Sequence, residues 1–185
     1  MWEKFIMREI RIHARAGQGA ITTASILGYA YFIEGKYPCA LPHFGAARMG
    51  APMNAFVRVD DRPVRLRCQV YSPDYLLIVD HTLMRGFNCF KGFNEDGIAI
   101  INAREGSSLP EHKARQKLYL VPANDIAVEA IGRPLGNTAM LGAFVAATEE
   151  MKLDSLIEAV KHRFSGKAVD QNILAIKKGF EYIKK

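Results

Sequence analysis

Apolar and polar positions alternate over Glu9-Ile10-Arg11-Ile12-His13, the period of a half-buried strand. From about Thr22 to Glu34 the period lengthens. Ala24, Leu27, Gly28, Tyr31 and Phe32 fall on one side and predict a helix. Gly35-Lys36-Tyr37-Pro38 breaks that pattern, and Cys39–Met53, with two prolines, two glycines and no period, reads as an ordered loop. Asn54–Val59 and Val64–Val70 alternate on either side of Asp60-Asp61-Arg62-Pro63, which predicts a β-hairpin with arginines on one face. Tyr75–Asp80, Gly97–Asn102 and Lys117–Pro122 are continuous apolar runs of the length of buried parallel strands. Asn124 or Asp125 would cap a helix running through Ile131. Three further helices follow: Ala139–Glu149, rich in small residues; Leu156–Phe164 capped by Asp154; and Asp170–Lys184, with Ile173, Ile176, Phe180 and Ile183 on one stripe. Strands alternating with helices predict a single α/β domain over residues 1–185. It would be a three-layer α/β/α sandwich around a mostly parallel sheet, extended by an antiparallel hairpin.

Composition narrows the class. A chain of 185 residues, 49% hydrophobic and 24% charged, has the make-up of an ordinary globular domain. It holds no apolar run of the roughly 20 residues a bilayer requires. The stretch Met1-Trp2-Glu3-Lys4-Phe5-Ile6-Met7-Arg8 is too short and polar for a secretion signal, so a cytoplasmic address is expected. The net charge of +6 suits an acidic partner. Its cations are scattered, apart from Arg62, Arg65, Arg67 and the lysine-rich tail, which is more often the pattern of a solvated surface. An acidic protein, whether electron carrier or sister subunit, fits that charge as well as a nucleic acid does. Cys39, Cys68 and Cys89 match no zinc, iron–sulfur or disulfide spacing, and they read as reduced thiols.

The candidate chemistry gathers around Ala16-Gly17-Gln18-Gly19. A strand, a glycine turn and a helix in that order present bare N–H groups at a helix start, which favours an anion. Gly17 and Gly19 permit a sharp turn and a close approach, while Arg15 and Gln18 supply donors. The same glycines would also serve a turn with no ligand. A dinucleotide fingerprint is incomplete, because Ala14 and Ala16 stand where glycines would and Glu34 lies at a helix end. His43, Phe44 and Arg48 are the residues of the long loop able to meet a ligand or partner, and His81 follows the end of a buried strand. Asn137 and Thr138 open the second small-residue helix, as caps or as contacts. The chain has no G-x-S-x-G elbow and no P-loop, and its five histidines are dispersed. It offers binding surface more than catalytic groups, and a stand-alone phosphate- or nucleotide-binding protein remains an alternative.

Several motifs in order resemble one family: Ala16–Gly19; Leu41-Pro42-His43-Phe44-Gly45 with Arg48 and Gly50-Ala51-Pro52; Arg65–Tyr75; Gly132–Gly142; and Phe164–Asn172. Together they are similar to the gamma subunit of pyruvate or related 2-oxoacid:ferredoxin oxidoreductases. The resemblance runs from about Arg8 to Lys185. It departs from the family pattern at Ala14, Ala16, His43, Ala46, Ala47 and Met49, which leaves Arg48 as the loop's arginine. What it implies is a multisubunit enzyme with alpha, beta and delta partners. That enzyme cleaves a 2-oxoacid on thiamine diphosphate, passes electrons through [4Fe-4S] clusters to ferredoxin and hands the acyl group to coenzyme A. This chain has neither clustered cysteines nor the thiamine-binding G-D-G stretch. Thiamine diphosphate, magnesium and the clusters are accordingly expected on partner chains, and the gamma chain alone is expected to be inert. Arg15, Gly17, Gln18, Gly19, His43, Phe44, Arg48, Asn137 and Thr138 are expected at the substrate- and coenzyme A-side surface or at a subunit interface, with no catalytic residue among them. Pyruvate is the expected oxoacid, with 2-oxoisovalerate as the alternative.

Overall fold

The computed structural model describes residues 7–43 and 48–185. The elements are β1 (Arg8–Arg15), α1 (Ala20–Ile33), β2 (Tyr37–His43), β3 (Pro52–Asp60), β4 (Tyr75–Ile78), β5 (Ile98–Asn102), β6 (Lys117–Val121), α2 (Ala123–Ile131), α3 (Asn137–Thr148), α4 (Leu153–Arg163) and α5 (Lys167–Lys184). A short 3-10 turn spans His81–Arg85. The six strands form one sheet in the order β2-β3-β1-β4-β5-β6. β1, β4, β5 and β6 run parallel, and β3 lies antiparallel between β1 and β2. The α/β class, the mostly parallel sheet and an antiparallel hairpin are all present.

The parity of β1 distributes its side chains between the two faces of the sheet. Ile10, Ile12 and Ala14 are fully buried on the face that carries all five α-helices, where they join Leu77, Ile100, Met140 and Phe144. Arg11 and His13 project from the opposite face. There Leu76, Ile78, Ala99 and Ile101 pack under Leu83, Cys89 and Phe93. The layer on that second face is the 3-10 turn and the ordered chain after it, rather than α-helices.

Buried arginines hold this irregular layer down. The Arg11 guanidinium donates to the carbonyls of Cys89 at 3.0 Å and Lys91 at 2.7 Å. Arg58 donates to the carbonyls of Cys68 at 2.6 Å and Gln69 at 2.7 Å, and its Nε lies 2.6 Å from Glu9. Beside them His13 is held neutral. Burial pushes its pKa down to about 4, and the Arg11 charge acts in the same direction.

The hairpin differs from the sequence expectation. β3 pairs with Tyr37–His43, part of the stretch read as a loop, and Val64–Val70 forms no strand. β1 and β2 already occupy both edges of β3, so no ladder position is left for Val64–Val70. That segment crosses the second face instead, tied by Arg58. β2 tolerates Pro38 and Pro42 because it is an edge strand, where a proline nitrogen can face outward without losing a ladder bond. The helix starts also shift. α2 begins after Pro122, α3 after Gly136 and α4 after Lys152, so Asn124, Asp125 and Asp154 lie in first turns and none of them caps.

Candidate functional site

From β1 the chain turns to one side of the sheet through β2 and β3, then returns to β4 on the other side and continues outward. The carboxyl ends of β1 and β4 therefore flank the point where strand order reverses, the place at which open α/β sheets hold ligands. Arg15 ends β1, and Asp80 follows β4.

Asp80 is the hub there. Its Oδ2 accepts from the Gln18 amide at 2.9 Å and faces Arg15 Nε at 3.1 Å. Its Oδ1 accepts from the Thr82 hydroxyl at 2.6 Å and the Thr82 N–H at 2.9 Å. Burial by itself would raise the carboxyl. The Thr82 hydroxyl, the Gln18 amide, the Thr82 N–H and the Arg15 charge outweigh it and hold Asp80 below the ordinary carboxylate range. Arg15 is fixed further by the Thr82 hydroxyl at 3.2 Å and the Gly50 carbonyl at 3.1 Å, and Gln18 Oε1 accepts from the Arg15 backbone N–H at 2.8 Å. Arg15 and Gln18 are thus aimed and immobilised before any ligand arrives.

Because the folded pKa of Asp80 lies below its unfolded value, its contribution is present in full above about pH 4 and is lost as pH falls through the folded value. Asp80→Ala is expected to cost about 2 kcal/mol at neutral pH, since it strands the Arg15 and Gln18 donors. The gap between the urea midpoints of parent and variant should hold from pH 7 to about pH 4 and narrow on further acidification. A gap that stays constant would show that the carboxylate charge contributes nothing.

The glycine turn is clasped from both sides. Gly17 and Gly19 have φ of 98° and 81°, the left-handed region that favours glycine. A Cβ on Gly17 would stand 3.1 Å from the Met49 methyl, and one on Gly19 would stand 2.9 Å from the Asn137 amide nitrogen. The backbone of Arg48–Ala51 is bonded to the turn: Gly50 N–H donates to the Ala16 carbonyl at 3.1 Å and Ala16 N–H to the Ala51 carbonyl at 2.9 Å. The fold thereby gathers Arg15, Gly17, Gln18, Gly19, Arg48 and Asn137 at one sheet edge.

Other candidates fall elsewhere. His43 sits at the end of β2, two strands from β1, with the Gln69 amide 2.8 Å from its Nε2 and its ring against Phe56. Phe44 lies outside the described residues, as do Ala46 and Ala47. Thr138 is fully buried and donates its hydroxyl to Asn172 at 3.0 Å, locking α3 to α5. His81 Nδ1 is 3.0 Å from the Asn102 carbonyl, an anchor for the 3-10 turn. Sequence reasoning passed over Asp80 and Thr82. Their signal was an aspartate ending a buried strand two residues before a threonine, the spacing at which a carboxylate caps the following turn.

Among the described residues, no three His, Cys, Asp or Glu side chains cluster as metal ligands would. No described helix is long and apolar enough to cross a membrane.

Comparison with known proteins places this geometry in a family. Residues 9–182 match the model of the pyruvate ferredoxin/flavodoxin oxidoreductase family. The chain is 44% identical over 178 residues to the common gamma subunit of the pyruvate/ketoisovalerate oxidoreductases of Pyrococcus abyssi, covering 95% of this chain and 96% of that one. It is also 44% identical over 178 residues to pyruvate synthase subunit PorC of Methanothermobacter marburgensis, covering 96% and 98%. The crystal structure of pyruvate oxidoreductase subunit PORC from Thermotoga maritima superimposes with a TM-score of 0.80 at 34% identity, covering 97% of each chain. Matched over nearly its whole length in sequence and in fold, this chain belongs to the pyruvate ferredoxin/flavodoxin oxidoreductase family.

Proposed function

We propose that this chain is the gamma subunit of a multisubunit pyruvate:ferredoxin oxidoreductase. Such an enzyme converts pyruvate, coenzyme A and oxidised ferredoxin to acetyl-coenzyme A, carbon dioxide and reduced ferredoxin. The observation that carries this reading is coextensive similarity, at 44% identity, to subunits bearing that name. The Pyrococcus relative is named for two oxoacids, so a 2-oxoisovalerate enzyme is the second reading.

The role assigned to the chain is to complete a shared site. It would do so as one domain, in the cytoplasm, beside alpha, beta and delta subunits. In this reading thiamine diphosphate, magnesium and the iron–sulfur clusters belong to partner chains, and the gamma chain alone turns nothing over. Arg15, Gly17, Gln18, Gly19, Arg48 and Asn137 form the edge turned toward the shared, coenzyme A-side site. His43 and Phe44 are assigned to contacts with a neighbouring subunit, and Thr138 supports the edge from within. The support is physical: Arg15 and Gln18 are held rigid by Asp80, and the exposed Arg48 is carried on backbone bonded to the glycine turn.

Gln18→Ala and Arg48→Ala, each in the complex reconstituted with its partner subunits, are expected to lower turnover or raise the coenzyme A requirement about tenfold. Unchanged kinetics in both variants would remove this edge from the shared site. Oxidative decarboxylation by the purified single chain would overturn the subunit reading itself.

A further inference from the structure

A hollow of about 220 Å³ opens where β1 begins, at the opposite edge of the sheet from Arg15 and Asp80. At a rise of about 3.3 Å per residue, the length of β1 sets the two edges roughly 23 Å apart. Several elements meet on the hollow. Arg8 opens β1, Tyr31 lies in the last turn of α1, Lys36 precedes β2, Asp60 ends β3 and Asp61 follows it, and Glu150 comes after α3. The space is smaller than the roughly 300–1,000 Å³ of pockets for drug-sized ligands, so it suits a small molecule. Its walls carry both signs of charge. Arg8 Nε lies 3.1 Å from Glu150, and Lys36 pairs with Asp61. Arg8, Lys36 and Asp61 are each more than a third exposed, and pairs of that kind are held loosely enough to exchange partners.

Tyr31 points to a ligand independently of these charges. It is 2% exposed and lines the hollow, and its hydroxyl has no hydrogen-bond partner among the described residues. Buried hydroxyls are ordinarily paired. The hydroxyl of nearby Tyr75 donates to Glu150, so the lack belongs to the tyrosine on the hollow. Burial, and after it the Glu150 carboxylate, push the Tyr31 hydroxyl well above the ordinary phenol range, so it keeps its hydrogen and acts as a donor. An anion alone would take that hydrogen but would also meet Asp60, Asp61 and Glu150. A cation alone would leave the hydrogen without an acceptor and would meet Arg8 and Lys36. A small molecule that carries both charges a few bonds apart meets all of these groups favourably.

We propose that this hollow binds a small α-amino acid as its zwitterion. The carboxylate accepts from the Tyr31 O–H and pairs with the Arg8 guanidinium, while the ammonium group faces Asp60. None of these residues belongs to the edge assigned to the shared site. Binding is read on the full-length chain without turnover, so its failure would leave the subunit reading, tested through Gln18 and Arg48, where it stands.

The test is titration of the full-length, ¹⁵N-labelled chain with L-alanine at low ionic strength, followed by amide chemical shifts. Saturable shifts with a common midpoint are expected at Arg8, Tyr31 and Asp60. Ethylamine, which lacks the carboxylate, and pyruvate, which lacks the ammonium group, should leave those amides in place at the same concentrations. Tyr31→Phe should raise the midpoint at least about tenfold, because a hydrogen bond to a charged group is lost. Its urea midpoint should equal or exceed the parent's, since the hydroxyl it removes bonds nothing in the protein. Arg8→Gln should weaken binding by a similar factor. Lys117→Glu, on the far edge strand β6, should bind as the parent does. Absence of saturable shifts with L-alanine would overturn the proposal and leave the hollow to water. Equal binding of ethylamine or of pyruvate, or parent-like binding by the Tyr31 variant, would overturn it as well.

Discussion

Gly142→Ala is expected to remove about 3 kcal/mol of folding stability, although alanine is the better helix former by about 1 kcal/mol. The sign is set by the crossing of α3 and α5. A Cβ on Gly142 would stand 2.0 Å from the Ile176 carbonyl oxygen, and one on Gly179 would stand 2.0 Å from that of Ala139. These are backbone atoms of the facing helix, so no rotamer change can relieve the clash. The helices would have to separate. α3 is buried on every side from Asn137 to Ala146, and separation would open voids around Met140, Phe144 and Ile176. Gly86→Ala provides the control. Its φ is −123° and nothing lies within 4 Å of the added Cβ, so its urea midpoint should match the parent's. A Gly142 variant as stable as the parent would mean that the two helices do not touch as closely as described.

Arg58→Met is the second large loss expected, about 3–5 kcal/mol. The Arg58 side chain is 3% exposed, and it neutralises Glu9 while satisfying two carbonyls of the segment that covers the second face. Methionine fills similar volume but leaves a carboxylate and two carbonyls without donors. The penalty therefore comes from stranded partners more than from lost contact area. Hydrogen exchange adds a local signature. Amides near Cys68–Val70 should lose protection before those of the central strands β4 and β5, because side-chain bonds, chiefly those of Arg58, and no backbone ladder tie that segment to the sheet. Uniform loss across the sheet would show that the segment is not an independently tethered layer.

Both results bear on why the sequence could be read only in part. Ile10, Ile12 and Ala14 alternate with Arg11 and His13, and that parity correctly foretold a strand with two faces. It could not foretell that the polar face would be buried as well. An arginine in a strand usually signals solvent, and here Arg11 and Arg58 meet carbonyls 80 and about 10 residues away along the chain. The strand residues Cys39–His43 read as loop in the sequence for a related reason. Proline is excluded from a strand only when both edges are paired, and whether an edge is open is a property of the sheet rather than of the segment. At the site, the glycine turn, Arg15 and Gln18 stood out from their neighbours. Asp80, 65 residues from Arg15, did not, because one carboxylate after an apolar run has no distinguishing mark until the donors that converge on it are known.

The sequence by itself determined what depends on a few consecutive residues. It set the period of each strand and helix, the glycine turn between β1 and α1, and the motifs in order that mark the family. These follow from local backbone preference and from side-chain parity, both of which act over a turn or a pleat. The tertiary structure alone decided which strand takes the open edge of β3, what covers the second face, and that Asp80 aims Arg15 and Gln18. Each of these joins groups tens of residues apart, and the interactions responsible, short hydrogen bonds and steric contact, exist only once the chain has brought those groups within a few ångströms.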